Sequence, residues 1–190
     1  MSAIIFPGQG SQYSMMALDF NDNFLEARNV FEQIEDITKI DIRKIIYENQ
    51  QDKLNQTQFT QILIFASSMA IYQTLIKQIG IGIINPEIVL GHSLGEYSAL
   101  VANNTLSLEE ASKLIKIRGD LMQSAIEPNT SGMAAVIGKN AEFVDEVIKK
   151  NNLDIEIAND NSPIQVVISG KKEEIINSER LFKDCGAIKF

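Results

Sequence analysis

The stretch IVLGHSLGEYSALVA, residues 88–102, decides the fold expected for this chain. Its apolar start, bounded by Pro86, predicts a short buried strand, and the small and apolar residues near its end predict a helix. Between them lies the pattern Gly-x-Ser-x-Gly, as GHSLG at residues 91–95. A strand, a sharp turn and a helix around this pattern are typical of a nucleophile elbow, which holds a serine hydroxyl at a helix N-terminus.

Ser93 is the predicted catalytic nucleophile of this elbow. We expect a Cβ atom at Gly91 or Gly95 to collide with the neighbouring strand or helix, which explains glycine at both positions. The unpaired N–H groups at the start of the following helix would stabilise the oxyanion formed when the serine attacks a carbonyl carbon. A chance match is the alternative, and it arises in roughly a few per cent of chains of this length.

Composition restricts the classes of function. The chain has 190 residues, a formal net charge of −8 and no basic run, which argues against nucleic acid or an anionic membrane as partner. Its single cysteine excludes an internal disulfide and indicates a reducing compartment. The first residues lack the features of a signal peptide. Residues 62–84 are apolar but interrupted by polar side chains, which predicts a core helix ending at Gly80 rather than a membrane span.

We therefore expect a cytoplasmic protein, and a monomer.

Residues 3–6 form another apolar run, cut off by Pro7, and predict a second buried strand. The loop PGQGSQ, residues 7–12, lacks the third glycine and the Lys-Ser/Thr pair of phosphate-binding loops. We expect its glycines to bring main-chain N–H groups close to a negative charge instead. Neither a metal nor a cofactor is expected.

Helical spacing organises the remainder. Phe24, Ala27, Val30, Phe31 and Ile34 predict one amphipathic helix, and residues 40–47 predict a shorter one. Ser107 and Glu110 form a capping box that opens a later helix. The apolar face predicted for that helix consists of Ala111, Leu114, Ile115, Leu121, Met122 and Ala125.

Beyond residue 132 the pattern changes to β-α-β-β-α-β, the order of a ferredoxin-like subdomain. The predicted strands cover residues 133–137, 153–158, 165–169 and 187 onward, and the predicted helices cover residues 141–150 and 172–185. A polar turn is expected at residues 159–163. We therefore expect two domains, residues 1–127 and 128–190.

Arg118 lies within the apolar stripe of the helix that follows the capping box. A buried arginine needs an anionic partner, since a desolvated unpaired charge is strongly unfavourable. Its planar guanidinium suits a carboxylate that is held at two points. Three interpretations stay open: a substrate carboxylate, a structural salt bridge, or a side chain whose charge reaches solvent.

A general base is missing from the predicted site. A serine nucleophile needs one within hydrogen-bond reach. The single histidine, His92, adjoins Ser93, and neighbouring side chains in a sharp turn point apart. We expect His92 to be packed or bonded to the main chain. Because only two strands are visible for the first layer and the sequence stops inside a strand-like run, we expect the N-terminal portion of a longer protein.

Six segments resemble, in the same order, those of the malonyl-CoA:acyl-carrier-protein transacylases. They are FPGQGSQ (6–12), TQ (60–61), GHSLGEYSAL (91–100), IRGDLMQ (117–123), GMAAVIG (132–138) and NDNSPIQVVISG (159–170). The resemblance covers the whole chain, which matches the N-terminal portion of that family. It implies an α/β fold: an α/β-hydrolase-like core, incomplete at its C-terminus, with an inserted ferredoxin-like α+β subdomain.

The resemblance further implies an acyltransferase of fatty acid biosynthesis that works in two steps. Ser93 would attack the thioester of malonyl-CoA and become malonylated. The phosphopantetheine thiol of acyl carrier protein would then take the malonyl group. The main-chain N–H groups of Gln9 and Leu94 would form the oxyanion hole, and Arg118 would bind the malonyl carboxylate.

By the same resemblance, Gln61 belongs to the substrate pocket, while Asn159 and Asn161 line the pantetheine channel. The family's catalytic histidine would lie beyond Phe190. Two alternatives therefore stay open. One is a serine esterase or thioesterase, which uses water as the acceptor. The other is a catalytically silent fragment that binds carrier protein, because the base is absent.

Electrostatics bears on the expected partner. Acyl carrier protein is acidic, so a chain of net charge −8 needs a local basic patch to bind it. Lys139, Lys171 and Lys172 are the candidates for such a patch, and solvated surface lysines are the alternative interpretation.

Overall fold

The computed structural model describes residues 2–48, 50–84, 86–127 and 129–190. The strands are β1 (Ala3–Phe6), β2 (Ile88–Gly91), β3 (Ser131–Ile137), β4 (Ile155–Ser162) and β5 (Gln165–Lys171). The helices are α1 (Leu18–Asn23), α2 (Leu25–Thr38), α3 (Ile42–Tyr47), α4 (Gln51–Leu54), α5 (Thr57–Ile79), α6 (Ile81–Ile84), α7 (Gly95–Ala102), α8 (Leu108–Ser124), α9 (Ala141–Lys150) and α10 (Lys172–Asp184). The chain is thus mixed α/β, and it divides into two compact units, Met1–Ala125 and Ile126–Phe190.

The two strands of the first unit, β1 and β2, pair in parallel, with Phe6 opposite Gly91. Both strands occur where they are predicted, but the prediction that they are buried is correct for only one of their faces. Ile5, Ile88 and Leu90 are 67%, 44% and 43% exposed. An apolar strand of a parallel sheet is buried only when both of its faces are covered. Here the face that carries Phe6 packs into the core, and no described part of the first unit covers the opposite face.

Helix α5 is the centre of the first unit and packs against α2 and α8. It is long and apolar enough to cross a membrane, but 67% of its most apolar window is buried inside the fold. It ends at Ile79, before Gly80, whose φ is 91°. The predicted core helix is therefore confirmed. The amphipathic face predicted for α2 is confirmed as well, because Ala27, Val30, Phe31 and Ile34 are buried.

Helix α8 begins with the predicted capping box. The Glu110 N–H donates to Ser107 Oγ at 3.1 Å, and the Ser107 N–H donates to a Glu110 carboxylate oxygen at 2.9 Å. The apolar face predicted for α8 is only partly correct. Ala111 and Ile115 are buried against the core. The members that are exposed instead are Leu114, Leu121, Met122 and Ala125.

The reason for this difference is the narrow contact between α8 and α5. A Cβ atom at Gly119 would lie 3.0 Å from the carbonyl oxygen of Gln58 in α5. The row Ala111, Ile115 and Gly119, spaced four residues apart, therefore faces α5. The other apolar residues of the stripe lie beside this row, where no described part of the first unit covers them.

The second unit is a three-stranded antiparallel sheet in the order β3-β5-β4, with α9 and α10 packed on it. Helices α9 and α10 lie at the positions predicted for them. Residues 159–161, however, are not a turn: β4 continues to Ser162, and the turn is confined to residues 163–164. Two irregularities in the register with β5 keep this polar segment paired. The strand predicted from Ala187 onward is reduced to one bridge, between Ile137 and Lys189.

Candidate active site

Ser93 lies at a sharp turn between β2 and α7. Its φ is 54°, in the left-handed region that residues with a side chain rarely adopt. The turn is closed by the Gly95 N–H, which donates to the carbonyl oxygen of His92 at 2.9 Å. Helix α7 begins at Gly95 with Leu94 as its N-cap, so the serine lies two residues before the first residue of the helix. The predicted order of strand, turn and helix is therefore present around the Gly-x-Ser-x-Gly pattern, with backbone strain concentrated at the serine.

The two glycines of the elbow lie where segments of the main chain are in close contact. A Cβ atom at Gly91 would lie 2.0 Å from the carbonyl carbon of Gly95. A Cβ atom at Gly95 would lie 2.4 Å from the carbonyl oxygen of Phe6. The predicted reason for both glycines is confirmed. Gly8 behaves in the same way, since its Cβ atom would lie 2.7 Å from the carbonyl oxygen of His92, and this close approach brings the loop after β1 to the elbow.

The guanidinium of Arg118 joins the nucleophile to Gln61. Arg118 Nη2 donates to Ser93 Oγ at 2.9 Å, and Arg118 Nη1 donates to Gln61 Oε1 at 2.5 Å. Gln61 is completely buried, and Arg118 is half-buried. Both partners are uncharged, and Arg118 forms no ion pair with a carboxylate of the described residues. The structural salt bridge is therefore the interpretation that the geometry does not favour.

Gln61 extends this contact to the loop after β1. Its Nε2 donates to Gln9 Oε1 at 3.4 Å and lies 3.1 Å from Sδ of Met122. The side chain of Gln9 in turn donates from Nε2 to Thr57 Oγ1 at 3.2 Å. The structure thus brings Ser93, Arg118, Gln61 and Gln9 into one connected cluster.

The residues proposed for the oxyanion hole flank the elbow. Leu94 follows Ser93 and its side chain is completely buried, whereas Gln9 is exposed and follows the buried Gly8. No hydrogen bond within the described part of the chain uses the main-chain N–H of Gln9 or of Leu94. Free N–H donors near a nucleophile are what an oxyanion hole requires.

Asn159 and Asn161 belong to the second unit, and the structure describes them within that unit. Both lie in the irregular end of β4, where Asn159 is paired with Val167 of β5. Asn159 is half-buried and Asn161 is exposed. Their assignment to a pantetheine channel stays a prediction.

Two residues that contact this cluster, Thr57 and Met122, are not identified as site residues by the sequence. Thr57 precedes Gln61 by four residues, about one helical turn, so both side chains share a face of α5. That spacing is the signal that could identify Thr57. Of the two expectations for His92, bonding to the main chain stays a prediction, and packing is wrong, because the turn places this residue on the surface. Its main-chain N–H donates to the carbonyl oxygen of Phe6 at 3.1 Å.

Two of the three candidate basic residues of the second unit, Lys171 and Lys139, have local side-chain partners. Lys171 pairs with Asp154 at 2.9 Å, and this hydrogen bond raises the pKa of the Lys171 ammonium. Lys139 lies over the ring of Phe143, 4.4 Å from its centre. Across the described ranges, no group of three or more His, Cys, Asp or Glu side chains could hold a metal ion.

Residues 3–187 match the family model described as the acyl transferase domain. A polyketide biosynthesis malonyl CoA-acyl carrier protein transacylase of Bacillus subtilis is 40% identical over 184 residues, which are 96% of this chain and 61% of that protein. An acyl-carrier-protein-S-malonyltransferase structure from Bartonella henselae is 37% identical with a TM-score of 0.90, over 100% of this chain and 61% of that one.

A third similar structure is a complex of a type II PKS acyl-carrier protein with its malonyl-transacylase. The chain of that complex that matches is 34% identical, with a TM-score of 0.89, over 98% of this chain and 60% of that one. The chain therefore spans about three fifths of the length of the relatives that it matches.

Proposed function

Because this chain belongs to the acyl transferase domain family and its relatives are malonyl-CoA:acyl-carrier-protein transacylases, we propose that it carries the serine nucleophile of such an enzyme. One observation carries the proposal: the guanidinium of Arg118 is hydrogen-bonded to the hydroxyl of Ser93. A cation at the nucleophile is what transfer of an acyl group with its own carboxylate requires. A malonyl group has that carboxylate, and an acetyl group does not.

In the first step, Ser93 Oγ attacks the thioester carbonyl of malonyl-CoA. A general base takes the hydroxyl proton, and the family resemblance implies that this base is a histidine outside these 190 residues. The main-chain N–H groups of Gln9 and Leu94 donate to the oxyanion that forms on the carbonyl oxygen. When the C–S bond breaks, coenzyme A leaves as the thiol after taking up a proton, and the malonyl group stays on Ser93 as an ester.

In the second step, the phosphopantetheine thiol of acyl carrier protein attacks the same carbonyl carbon. The new C–S bond replaces the C–O bond, and the proton of the thiol reaches Ser93 Oγ through the base. The serine is regenerated and malonyl-acyl carrier protein leaves. The role in fatty acid biosynthesis, the absence of a cofactor and the cytoplasmic location are parts of the same proposal.

Arg118 selects the acyl group in this mechanism. Its guanidinium is half-buried, so hydrogen bonds from it to a carboxylate are screened less than on the surface. The Nη2 donor that now contacts Ser93 is the one that the malonyl carboxylate takes over, while Nη1 keeps its bond to Gln61. The buried amide of Gln61 thereby holds the guanidinium in place while the acyl group exchanges.

We further propose that the first unit is part of an α/β-hydrolase-like core and that residues 128–190 form a ferredoxin-like subdomain. The elbow between β2 and α7 supports the former. The sheet order β3-β5-β4, with Lys189 bridged to the free side of β3 at Ile137, supports the latter. A boundary at residue 127 is supported by the two compact units. Asn159 and Asn161 would then line the pantetheine channel.

A labelling experiment tests the proposal. The natural protein that contains these residues is incubated with radiolabelled malonyl-CoA, and the labelled peptide is identified by mass spectrometry. We expect a malonyl ester on Ser93, and acyl carrier protein with its phosphopantetheine arm should remove it. Ser93→Ala should abolish the label. Ser98→Ala is the matched control, because Ser98 is buried in α7 and should label normally.

Two results would contradict the proposal. Release of free malonate faster than transfer to carrier protein would indicate a thioesterase. A natural protein that binds carrier protein but never labels at Ser93 would indicate a catalytically silent binding protein.

A further inference from the structure

A hydrogen-bond chain with one direction runs from the nucleophile to the start of α5. Arg118 can only donate, so the amide oxygen of Gln61 must face it, as observed at Nη1. The amide nitrogen of Gln61 then has to face Gln9, whose Oε1 accepts at 3.4 Å. This leaves the amide nitrogen of Gln9 pointing to Thr57, whose Oγ1 accepts at 3.2 Å. The direction of every bond therefore follows from the guanidinium.

Thr57 is the acceptor at which this chain ends. It is the first residue of α5 and is half-buried, on the same face as Gln61. A hydroxyl can fill this place because its oxygen accepts while its proton stays available to another acceptor. A methyl group in the same place offers no acceptor, and the amide of Gln9 would lose the partner that determines its orientation.

The loop after β1 is tied to this part of the chain at two points. Gln9 contacts Thr57, and Gln12 Nε2 donates to Asn55 Oδ1 at 3.3 Å. The side chain of Gln12 also accepts from the N–H of Gly10 at 2.8 Å. Only the tether at Thr57 belongs to the residue whose main-chain N–H is assigned to the oxyanion.

We propose that Thr57 is a positioning residue for acyl transfer, which acts by holding Gln9 so that its main-chain N–H points at the oxyanion. This inference rests on the proposed function. The oxyanion N–H acts on the transition state, so its displacement lowers kcat rather than raising KM. Deleting an oxyanion donor costs about 10²–10³ in kcat, and a donor that is displaced but not deleted should cost about tenfold.

The test compares Thr57→Val, which keeps the shape and removes the acceptor, with Thr57→Ser, which keeps the acceptor. Steady-state transfer to carrier protein is measured with malonyl-CoA and acetyl-CoA in the natural protein. For Thr57→Val we expect kcat to fall about tenfold with both substrates, and KM to change less than about twofold, because the oxyanion is common to both reactions. Thr57→Ser should keep at least about half of the activity.

Thr74→Val is the matched control. Thr74 lies on the same helix, and its hydroxyl donates to the carbonyl oxygen of Ala70 at 2.8 Å, so the change removes a buried hydrogen bond outside the cluster. It should lower the melting temperature and leave kcat unchanged. An equal loss of kcat in Thr74→Val, or in Thr57→Ser, would overturn the positioning role.

A second variant, Gln9→Leu, does not depend on how well Thr57→Val folds. Gln9→Leu keeps the main-chain N–H and removes the tether, so it should reproduce the loss of kcat. The kcat of the double variant should be no lower than that of either single variant, because both changes break the same chain of hydrogen bonds. Additive losses, or an unchanged kcat in Gln9→Leu, would reject the inference.

The failure of the proposed function and the failure of this inference give different results. If Ser93 of the natural protein does not label with malonyl-CoA, the proposed function fails. If it labels normally while these variants keep full kcat, only the role of Thr57 fails.

Discussion

The guanidinium of Arg118 donates to the hydroxyl of Ser93 at 2.9 Å, although 25 residues separate them in sequence. Two close approaches of main chain make this contact available. Gly119, next to Arg118, faces Gln58 of α5. A Cβ atom added at Gly119 would lie only 3.0 Å from the carbonyl oxygen of Gln58. Gly95, the last residue of the elbow, faces Phe6 in the same way. The contact therefore depends on two glycines that carry no chemistry themselves.

Replacing Arg118 should change acyl selectivity. For Arg118→Ala we expect kcat/KM for malonyl transfer to fall about 10- to 100-fold, since hydrogen bonds to charged groups contribute about 1.5–3 kcal/mol. Acetyl transfer should change little. Arg118→Lys should lie between the two, because a lysine keeps the charge and loses the planar pair of donors. Parallel kinetics with both thioesters measure this, and an equal loss for malonyl and acetyl would show that Arg118 does not bind the carboxylate.

Adding one methyl group at Gly91 should disrupt the elbow. In Gly91→Ala the new Cβ atom would lie 2.0 Å from the Gly95 carbonyl carbon, so the strand and the helix must separate. We expect the free energy of unfolding to fall by about 3 kcal/mol or more, as for severe overpacking. Urea denaturation measures it. Gly82→Ala is the control, because a Cβ atom at Gly82 has no neighbour within 4 Å, and a loss of similar size there would contradict this explanation.

Relieving the backbone strain at Ser93 should raise the free energy of unfolding. At its φ of 54° a side chain costs about 1 kcal/mol, so Ser93→Gly should be more stable than Ser93→Ala by about that amount. Both variants lack the nucleophile and should be inactive.

Position 98 supplies the comparison. Ser98 lies inside α7, where glycine is less favourable than alanine by about 1 kcal/mol, so the order there should be reversed. Thermal or urea unfolding of the four variants tests this. The same order at both positions would argue against strain at the elbow.

The capping box of α8 should make stability depend on pH. The pKa of Glu110 is lowered, chiefly because the Ser107 hydroxyl donates to its carboxylate, and also because the Ser107 N–H does. A carboxyl group with a lowered pKa stabilises the fold above its unfolded value, and that contribution is lost as the pH falls through the folded value.

Urea denaturation between neutral pH and about pH 3 measures this contribution, because glutamate titrates near pH 4.3 when unperturbed. The natural protein should lose more stability on acidification than Glu110→Gln does. Glu109→Gln, which removes the adjacent charge from an exposed pair with Lys113, controls for the change in net charge. Identical pH profiles for the natural protein and Glu110→Gln would refute the prediction.

Patterns between residues close in the chain are what the sequence predicts well. The capping box, the apolar spacing of α2 and the glycines around Ser93 all depend on contacts within a few residues or on sterics at one turn. Burial is predicted less well. Ile5 and Leu90 look like core residues in sequence, yet they are exposed, because burial depends on which elements cover a face of the sheet. Residues 159–161 look like a turn, yet pairing with β5 overrides their local preference.

The same division applies to the candidate site. Amino-acid order alone was sufficient to predict Ser93 as the candidate nucleophile, its strand–turn–helix setting and the need of Arg118 for a partner, since backbone sterics and the desolvation of a charge act wherever those residues stand. The partner itself depends on folding: packing of α8 on α5 through Gly119 brings Arg118 to Ser93 and Gln61. The link from Gln61 through Gln9 to Thr57 depends on folding as well, because hydrogen bonds form only between atoms within about 3.5 Å, and chain spacing does not encode that distance.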